Sequence, residues 1–117
     1  MRNRVIHIRS RVFAEGVEIS SKAVEYSGYI QTPVSMRDIQ MYGERITRIK
    51  TGLFTNREVC DIENAYPVSR INEGDLAYID TTPNGEKEDG DNADYVVRSV
   101  LVGAAFTSIT FEKIQQE

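Results

Sequence analysis

Six residues in the middle of the chain alternate basic and apolar side chains in a way that suits contact with phosphate. The run is Arg45-Ile46-Thr47-Arg48-Ile49-Lys50. Small β domains bind nucleic-acid strands by combining basic residues, which meet the backbone, with aromatic rings, on which bases stack. The pattern indicates a sequence-independent phosphate contact, whereas base readout has no support. The residues that would make this contact are Tyr42, Arg45, Arg48 and Lys50, with Phe54 nearby.

The same run has a purely structural interpretation. Neither face of an extended segment at 45–50 is cleanly apolar, because basic and apolar residues occur on both sides. A cationic strand at the edge of a sheet protects that edge against aggregation. An exposed edge strand therefore remains the alternative to a phosphate contact.

A second stretch, residues 80–94, is acidic and contains part of a calcium-loop pattern. The residues that match the pattern are Asp80, Thr82, Asn84, Gly85 and Asp91. Thr82 is a poorer ligand than Asp, and Asp91 stands where the longer Glu is usual. The flanking segments are of strand type rather than helical. We therefore expect a mobile acidic hairpin loop here, and no metal site.

The other reactive residues form no catalytic constellation in the sequence. The chain has one cysteine, Cys60, and one histidine, His7. Cys60 lies in an apolar-acidic run that predicts a buried structural thiol, and a single cysteine excludes an internal disulfide and suits a reducing cytosol. There is no phosphate-loop or dinucleotide-binding motif. We predict that the protein is not an enzyme and has no cofactor.

Composition is that of one soluble domain spanning residues 1–117. The chain is 40% hydrophobic and 27% charged, with a formal net charge of −4. The charge is uneven: residues 1–11 contain four arginines and no acid, whereas residues 80–94 contain six acids and one lysine. No apolar run approaches the roughly 20 residues of a membrane span. We expect a soluble intracellular product with faces of opposite sign.

Residues 71–102 are expected to organise the domain as a strand, the acidic loop and a second strand that returns beside the first. Gly74 and Asp75 belong to the turn signal that precedes the first of these strands. The second, at 94–102, is rich in Val, which suits a pleated and half-buried surface. Gly74 and Asp75 are therefore predicted to be structural residues of the hairpin.

Apolar alternation elsewhere predicts further short strands. They are expected at residues 4–13, 17–19, 23–31, 45–50 and 108–113, with a short strand or loop at 53–56. The spacing of Val59, Ile62 and Tyr66 suits a short helix, although a loop is not excluded. About six strands at spacings near ten residues predict a mostly β domain, an antiparallel barrel or sandwich with at most one short helix.

The order of these elements resembles that of the head-completion proteins of tailed bacteriophages, also called head-tail joining, stopper or minor capsid proteins. The pattern covers much of the chain and is one of residue types. It comprises the basic first strand, GYIQ at 28–31, YGER at 42–45, INEGDLAYID at 71–80, YVV at 95–97 and the charged last strand at 110–113. The acidic insert at 81–93 is longer than the pattern usually shows.

The resemblance implies a small antiparallel open β barrel with a long mobile loop, residues 32–50. In a ring of copies this loop would point into the central channel and close it after DNA packaging. The DNA-facing residues implied are Arg37, Tyr42, Arg45, Arg48 and Lys50. The contacts implied between neighbouring copies are Met36, Ile39 and Met41.

The resemblance also implies partners and a place in the virion. The partners are the connector adaptor and portal assembly, the tail-terminator or tail proteins, packaged double-stranded DNA and further copies of the chain. The copies are expected to form a dodecameric ring in the virion, with a monomer as the alternative for the isolated chain. No membrane is implied: the protein would be made in the host bacterial cytoplasm and end in the virion neck. The alternatives are a tail-terminator or connector adaptor protein and, from outside this class, a free-standing β-barrel nucleic-acid-binding module.

Overall fold

The structure, a computed structural model, describes residues 3–19, 23–31, 48–83 and 92–114. This part of the chain is mostly β, as predicted. Its strands are β1 (Asn3–Arg9), β2 (Val12–Ala14), β3 (Val17–Ile19), β4 (Ala23–Gln31), β5 (Ile49–Thr55), β6 (Cys60–Glu63), β7 (Tyr66–Ser69), β8 (Leu76–Tyr78), β9 (Tyr95–Val102) and β10 (Phe106–Lys113), and its helix is α1 (Asn56–Val59).

Six strands form a closed barrel in the order β1-β4-β5-β10-β9-β8, and every neighbouring pair is antiparallel. The predicted six-stranded antiparallel barrel is therefore confirmed. Closure comes from β8, which pairs with both β1 and β9, for example Ile8 with Ala77 and Ala77 with Tyr95. The barrel is thus closed, where the resemblance implied an open one. Each of the six barrel strands therefore has a hydrogen-bonded neighbour on both sides.

The described part of the predicted edge strand 45–50 belongs to a barrel strand that has a neighbour on each side, although in the described residues the pairing with β4 begins only at Thr51. Ile49 and Lys50 begin β5, which pairs with β10 on one side and with β4 on the other. β5 continues through Gly52 to Thr55, so the predicted break after Lys50 is wrong. The rest of the predicted segment, residues 45–47, lies outside the described residues.

Alternation along the barrel strands directs one set of side chains inward. The buried inner set includes Ile6 and Ile8 on β1, Tyr26 on β4, Phe54 on β5, Ala77 on β8, Tyr95 and Val97 on β9, and Ile109 and Phe111 on β10. The ring of Phe54 lies against two backbone positions without side chains, Gly28 and Gly52. A Cβ at Gly52 would approach a Phe54 ring carbon to 2.6 Å, and one at Gly28 would overlap the same ring. Glycine is required at both positions because Phe54 occupies the space.

The end of the barrel reached by Thr55 is closed by apolar residues, and we call it the base. Val59 of α1 and Ile71 are almost completely buried there, with exposed fractions of 0% and 2%. Cys60 is buried beside them, as predicted, and its Sγ lies 3.4 Å from Oγ1 of Thr107. Thr107 in turn donates to Oδ1 of Asn56 at 2.7 Å. The base is therefore an apolar cap with a short internal polar chain.

Residues 60–69 correct the expectation of a short helix. They form the antiparallel hairpin β6–β7, in which Cys60 pairs with Ser69 and Glu63 pairs with Tyr66. Ile62 and Tyr66 are 70% and 73% exposed. Their helical spacing therefore reflected no buried face. The hairpin extends from the base and is separate from the barrel ladder.

Candidate functional site

The opposite end of the barrel, which we call the mouth, is closed by charged residues. Arg4, Lys50 and Tyr95 lie near the ends of β1, β5 and β9, on the inner face of the barrel. Asp80, just beyond β8, accepts a bond from Lys50 Nζ at 3.0 Å and one from Arg4 at 3.1 Å. Arg4 also donates to the carbonyl of Ile79 at 2.9 Å. One carboxylate thus joins two cations from strands that are not neighbours.

Tyr95 forms the floor of this ionic cluster. The ammonium of Lys50 lies 5.6 Å from the centre of the Tyr95 ring, within the range of a cation–π contact. The Tyr95 hydroxyl lies 3.5 Å from the Asp80 carboxylate. Burial, with the nearby charges of Asp80 and Asp94, raises the pKa of Tyr95 to about 12. The phenol is therefore neutral at physiological pH and is no candidate base.

Two opposing effects set the protonation of Asp80. Burial raises the pKa of its carboxyl, but the hydrogen bonds and charges of Lys50 and Arg4 outweigh burial and leave that pKa below the ordinary value. The group is a carboxylate with two cationic partners, which is the arrangement of an ion pair rather than of a general acid. The mouth is therefore a structural closure.

Asp94 fixes the point where the acidic loop begins and ends. Its carboxylate accepts the backbone N–H groups of Ile79 at 2.9 Å and Asp80 at 2.8 Å. The carbonyl of Asp94 accepts the N–H of Ile114 at 2.9 Å. One residue therefore ties the end of β8, the start of β9 and the end of β10 together at the mouth.

The calcium-loop pattern has Asp80 as its first ligand, and the structure pairs this carboxylate with Lys50 and Arg4. Asn84, Gly85 and Asp91 lie outside the described residues. Among residues 3–19, 23–31, 48–83 and 92–114, no group of three or more His, Cys, Asp or Glu side chains is placed to hold a metal ion.

The predicted DNA-facing residues divide between two places. Lys50 points into the mouth and bonds Asp80, whereas Arg48 donates to the carbonyl of Lys113 at 2.8 Å on the outside of the barrel. The two described cations of this set therefore do not form one surface. The other residues of the set, Arg37, Tyr42 and Arg45, and the predicted contacts between copies, Met36, Ile39 and Met41, lie outside the described residues.

Arg48 belongs to an open groove on the outer wall of the barrel, which we call the cationic groove. Its charged lining consists of Arg11, Arg48, Arg98 and Lys113, and its apolar lining consists of Leu76, Val96 and Ile114. These residues come from β8, β9 and β10 or from segments that adjoin the barrel strands. The described lining residues include no acidic side chain. The groove is thus a place where positive charge surrounds a small apolar floor.

A β-bulge determines the position of one of these cations, Arg98. The register between β9 and β10 shifts between Thr110 and Phe111, which gives β9 an extra residue, Arg98. Arg98 Nε donates to Oε1 of Glu112 at 2.7 Å. The Glu112 side chain is only 5% exposed and that of Arg98 is 57% exposed. The ion pair therefore holds Arg98 over the wall of the barrel while its other edge faces solvent.

The turn before β8 contains the two predicted structural residues. Gly74 has φ of 91° and donates to the carbonyl of Val97 at 2.8 Å. The Asp75 carboxylate is buried and accepts the N–H of Asn72 at 2.9 Å. Burial raises the pKa of Asp75, although its hydrogen bonds act in the opposite sense. These contacts hold the turn against the start of the β8–β9 pair.

A second part of the outer wall is apolar and exposed, and we call it the apolar wall. Tyr29 on β4 pairs directly with Leu53 on β5, and Phe106 on β10 borders the same shallow depression. Leu101 lies two strands further on, beyond Ser108. The exposed fractions are 40% for Tyr29, 39% for Leu53, 49% for Phe106 and 70% for Leu101. Sequence alternation gave no sign of this surface, because an outward strand position is expected to be polar.

The single described helix is too short to cross a membrane. Comparisons with protein-family models, with curated proteins and with solved structures each return no match. The geometry of the mouth, the cationic groove, the hairpin and the apolar wall is therefore the basis on which function can be argued.

Proposed function

We propose that this chain is a structural protein of a tailed-bacteriophage neck, which closes the head channel after DNA packaging and provides the docking surface for the tail. It would act as a ring of copies between the connector adaptor and the tail, with a tail-terminator or adaptor role as the alternative. The phage assignment rests on the resemblance of the sequence pattern. The assembly of copies is supported by the structure independently of that resemblance.

The apolar wall is the observation that carries the assembly argument. Monomeric soluble proteins rarely expose large contiguous apolar surfaces, and surfaces of that kind commonly mark contacts with other proteins. Tyr29, Leu53 and Phe106 adjoin on neighbouring strands, and Phe106 is half exposed. A lateral contact between copies would bury these side chains. Assembly is the role that best accounts for their exposure.

The position of the mouth supports the channel-closing part of the proposal. Gln31 ends β4 and Ile49 begins β5, and Gln31 lies beside Thr51 in the ladder. The residues that flank segment 32–47 therefore lie at the mouth, where Lys50 and Arg4 hold Asp80. The ion pairs at the mouth give such a segment a firm attachment to the barrel. A loop that reaches a channel requires a firm attachment of this kind.

The cationic groove favours a second candidate function, binding of nucleic acid by a free-standing barrel. Four cations line the groove, and one of them, Arg98, is paired with Glu112. Phosphate contacts of this kind make binding strongly dependent on salt. A fluorescence titration with short DNA at low salt tests this candidate, and absence of binding would remove it.

The head-closure proposal is tested by electron microscopy of particles from a phage in which the gene for this chain is disrupted. We expect heads that have lost their DNA and that accumulate apart from intact tails. Complementation with the wild-type gene should restore virions. Heads that keep DNA beside tails of abnormal length would indicate a tail terminator instead, and normal virions would exclude both roles.

A matched pair of complementing variants tests the part played by the apolar wall. Leu53→Asp places a charge on the wall, whereas Val17→Asp places one at a position that is 67% exposed in the separate β2–β3 hairpin. We expect only Leu53→Asp to lose complementation while both proteins remain folded. Equal complementation by the two variants would show that the wall is not needed for assembly.

A further inference from the structure

One face of the β6–β7 hairpin combines two acidic side chains on β6 with two apolar side chains on β7. Directly paired residues lie on the same face of an antiparallel hairpin. Asp61 pairs with Val68 and Glu63 pairs with Tyr66, so these four side chains share a face. Cys60 belongs to the other face and is buried against Thr107. The acidic-apolar face is therefore the one turned away from the barrel.

The hairpin is preformed, and most of its side chains are exposed. Its tip residues Asn64 and Ala65 have φ of 50° and 67°, as a two-residue turn of the primed type requires. Tyr66 is 73% exposed and Val68 is 42% exposed. An isolated two-stranded hairpin is marginally stable in water, and burying a face stabilises it. The exposed face is thus suited to docking against another surface.

The acidic charge of this face is weakly paired within one copy. Asp61 lies 3.8 Å from Nε of Arg70, and both side chains are exposed. An exposed pair at this distance contributes little to stability. The Asp61 carboxylate therefore remains accessible to a cation of another surface.

The cationic groove has the complementary composition. Arg48 and Lys113 provide positive charge near one another, since Arg48 donates to the Lys113 carbonyl. Leu76, Val96 and Ile114 provide an apolar floor of partly exposed side chains. Phosphate contact does not use an apolar floor, whereas a face that combines carboxylates with Tyr66 and Val68 uses both parts of the groove. The composition of the groove therefore matches the hairpin better than it matches a nucleic acid.

We propose that the acidic-apolar face of the β6–β7 hairpin docks in the cationic groove of a second copy of this chain. The inference builds on the proposed function, because it adds a second contact between copies to the one proposed at the apolar wall. Asp61 and Glu63 meet the groove cations, and Tyr66 and Val68 cover the apolar floor. The two surfaces differ, so the contact is heterologous. Such a contact repeats from copy to copy and produces a ring when the rotation closes.

A charge-swap experiment tests the contact directly. One variant, Asp61→Lys/Glu63→Lys, makes the hairpin positive and leaves the groove positive. The other, Arg48→Glu/Lys113→Glu, replaces two of the four groove cations by carboxylates, so the charge of the groove lining falls from +4 to zero while the hairpin stays acidic. Each variant alone should lose self-association, because the first places like charges against one another and the second removes the net positive charge that attracts the acidic face. We expect a weakening of about tenfold or more. An equimolar mixture should regain association, because each copy then meets a complementary neighbour.

The control is Glu15→Lys/Glu73→Lys, which changes net charge as much as the hairpin variant does but at exposed positions outside the hairpin. Sedimentation velocity of the full chain at several concentrations gives the association state, and melting curves verify that each variant is folded. We expect wild-type and control proteins to associate alike. Association that survives in both single variants would overturn the proposed contact.

Two further outcomes would also overturn it. A wild-type chain that stays monomeric at the highest concentration reached would exclude the contact in solution. Loss of binding to short DNA by Arg48→Glu/Lys113→Glu, with no association restored in the mixture, would assign the groove to nucleic acid. Neither outcome decides the head-closure proposal, which is judged by the DNA content of particles.

Discussion

The two ends of the barrel are closed by different physical means. At the base, Val59 and Ile71 are almost fully buried, and the polar atoms there bond one another. At the mouth, closure depends on Asp80 between Lys50 and Arg4, with about half of the Asp80 side chain exposed. Apolar burial is insensitive to pH and modest salt, whereas exposed ion pairs are weakened by both. The difference indicates that apolar packing at the base contributes more to the stability of the fold than the ion pairs at the mouth, whose strength depends on pH and salt.

Ile71→Ala at the base should give the largest loss of stability. Removing a fully buried Ile side chain leaves a cavity and costs about 2–5 kcal/mol of unfolding free energy. Ile62→Ala in the neighbouring hairpin is the matched control, because the same change at a position that is 70% exposed should cost under about 0.5 kcal/mol. Urea denaturation measures both. Similar costs for the two variants would show that the base is not a packed cap.

The sequence predicted the barrel strands well where apolar alternation was long. Residues 4–13, 23–31, 94–102 and 108–113 were expected as strands and overlap β1, β4, β9 and β10, although the first of these predictions runs past the end of β1 into β2. Alternation is reliable there because one face of each strand is buried in the barrel. The helical spacing of apolar residues gave a wrong prediction at the β6–β7 hairpin, where Ile62 and Tyr66 are exposed and their spacing carries no information about burial.

The mouth had no local signal in the sequence. Arg4 and Asp80 are 76 positions apart, and Lys50 and Asp80 are 30 apart. Closure of the barrel brings them together, and that closure depends on the pairing of β8 with β1. Lys50 was expected to face DNA because it continues the alternation of Arg45 and Arg48. Its inward direction follows from its partner in the ladder, the buried Phe111.

At the mouth itself, Asp94→Ala should have a larger effect than loss of an ion pair. The change removes the acceptor for the N–H groups of Ile79 and Asp80 and should cost about 1–3 kcal/mol. Asp94→Asn keeps one acceptor oxygen and should cost about half as much. Urea denaturation gives the stability, and amide hydrogen exchange at Ile79 and Asp80 should quicken in the Ala variant. Unchanged exchange at both amides would contradict this assignment.

Lys50→Met should cost less, about 0.5–1 kcal/mol at low salt, because it removes one cation of a partly exposed ion pair. Arg48→Met is the control, since Arg48 bonds only to a carbonyl on the outer wall in the contacts described and should cost still less. Thermal unfolding at two salt concentrations distinguishes them: the cost of Lys50→Met should shrink as salt rises. Equal, salt-independent costs would show that the mouth ion pair does not stabilise the fold.

Lys50→Met should also change how the free energy of unfolding falls at low pH. The pKa of Asp80 is lowered in the folded protein, so its contribution is complete above the unfolded pKa, about 4, and is lost as pH falls through the folded value. Lys50→Met should raise the Asp80 pKa toward its ordinary value and flatten this part of the stability curve. A carboxyl titration followed by nuclear magnetic resonance measures the shift directly. An unchanged Asp80 pKa would indicate that Arg4 alone sets it.

Tyr95→Phe should have the smallest effect at neutral pH, because it removes only a 3.5 Å contact with Asp80 and keeps the ring under Lys50. Its effect should emerge in alkali. A pKa raised to about 12 means that the stability linked to the neutral phenol is complete below about pH 10 and is lost as pH rises toward 12. Tyr95→Phe should therefore lose less stability than wild type over that range, with Tyr66→Phe, an exposed phenol in the hairpin, as the control. Burial also raises the pKa of Tyr26, so part of the alkaline loss should persist in Tyr95→Phe. An alkaline curve identical to that of wild type would show that the phenol at the mouth ionises without cost to the fold, and that this end of the barrel is open to water.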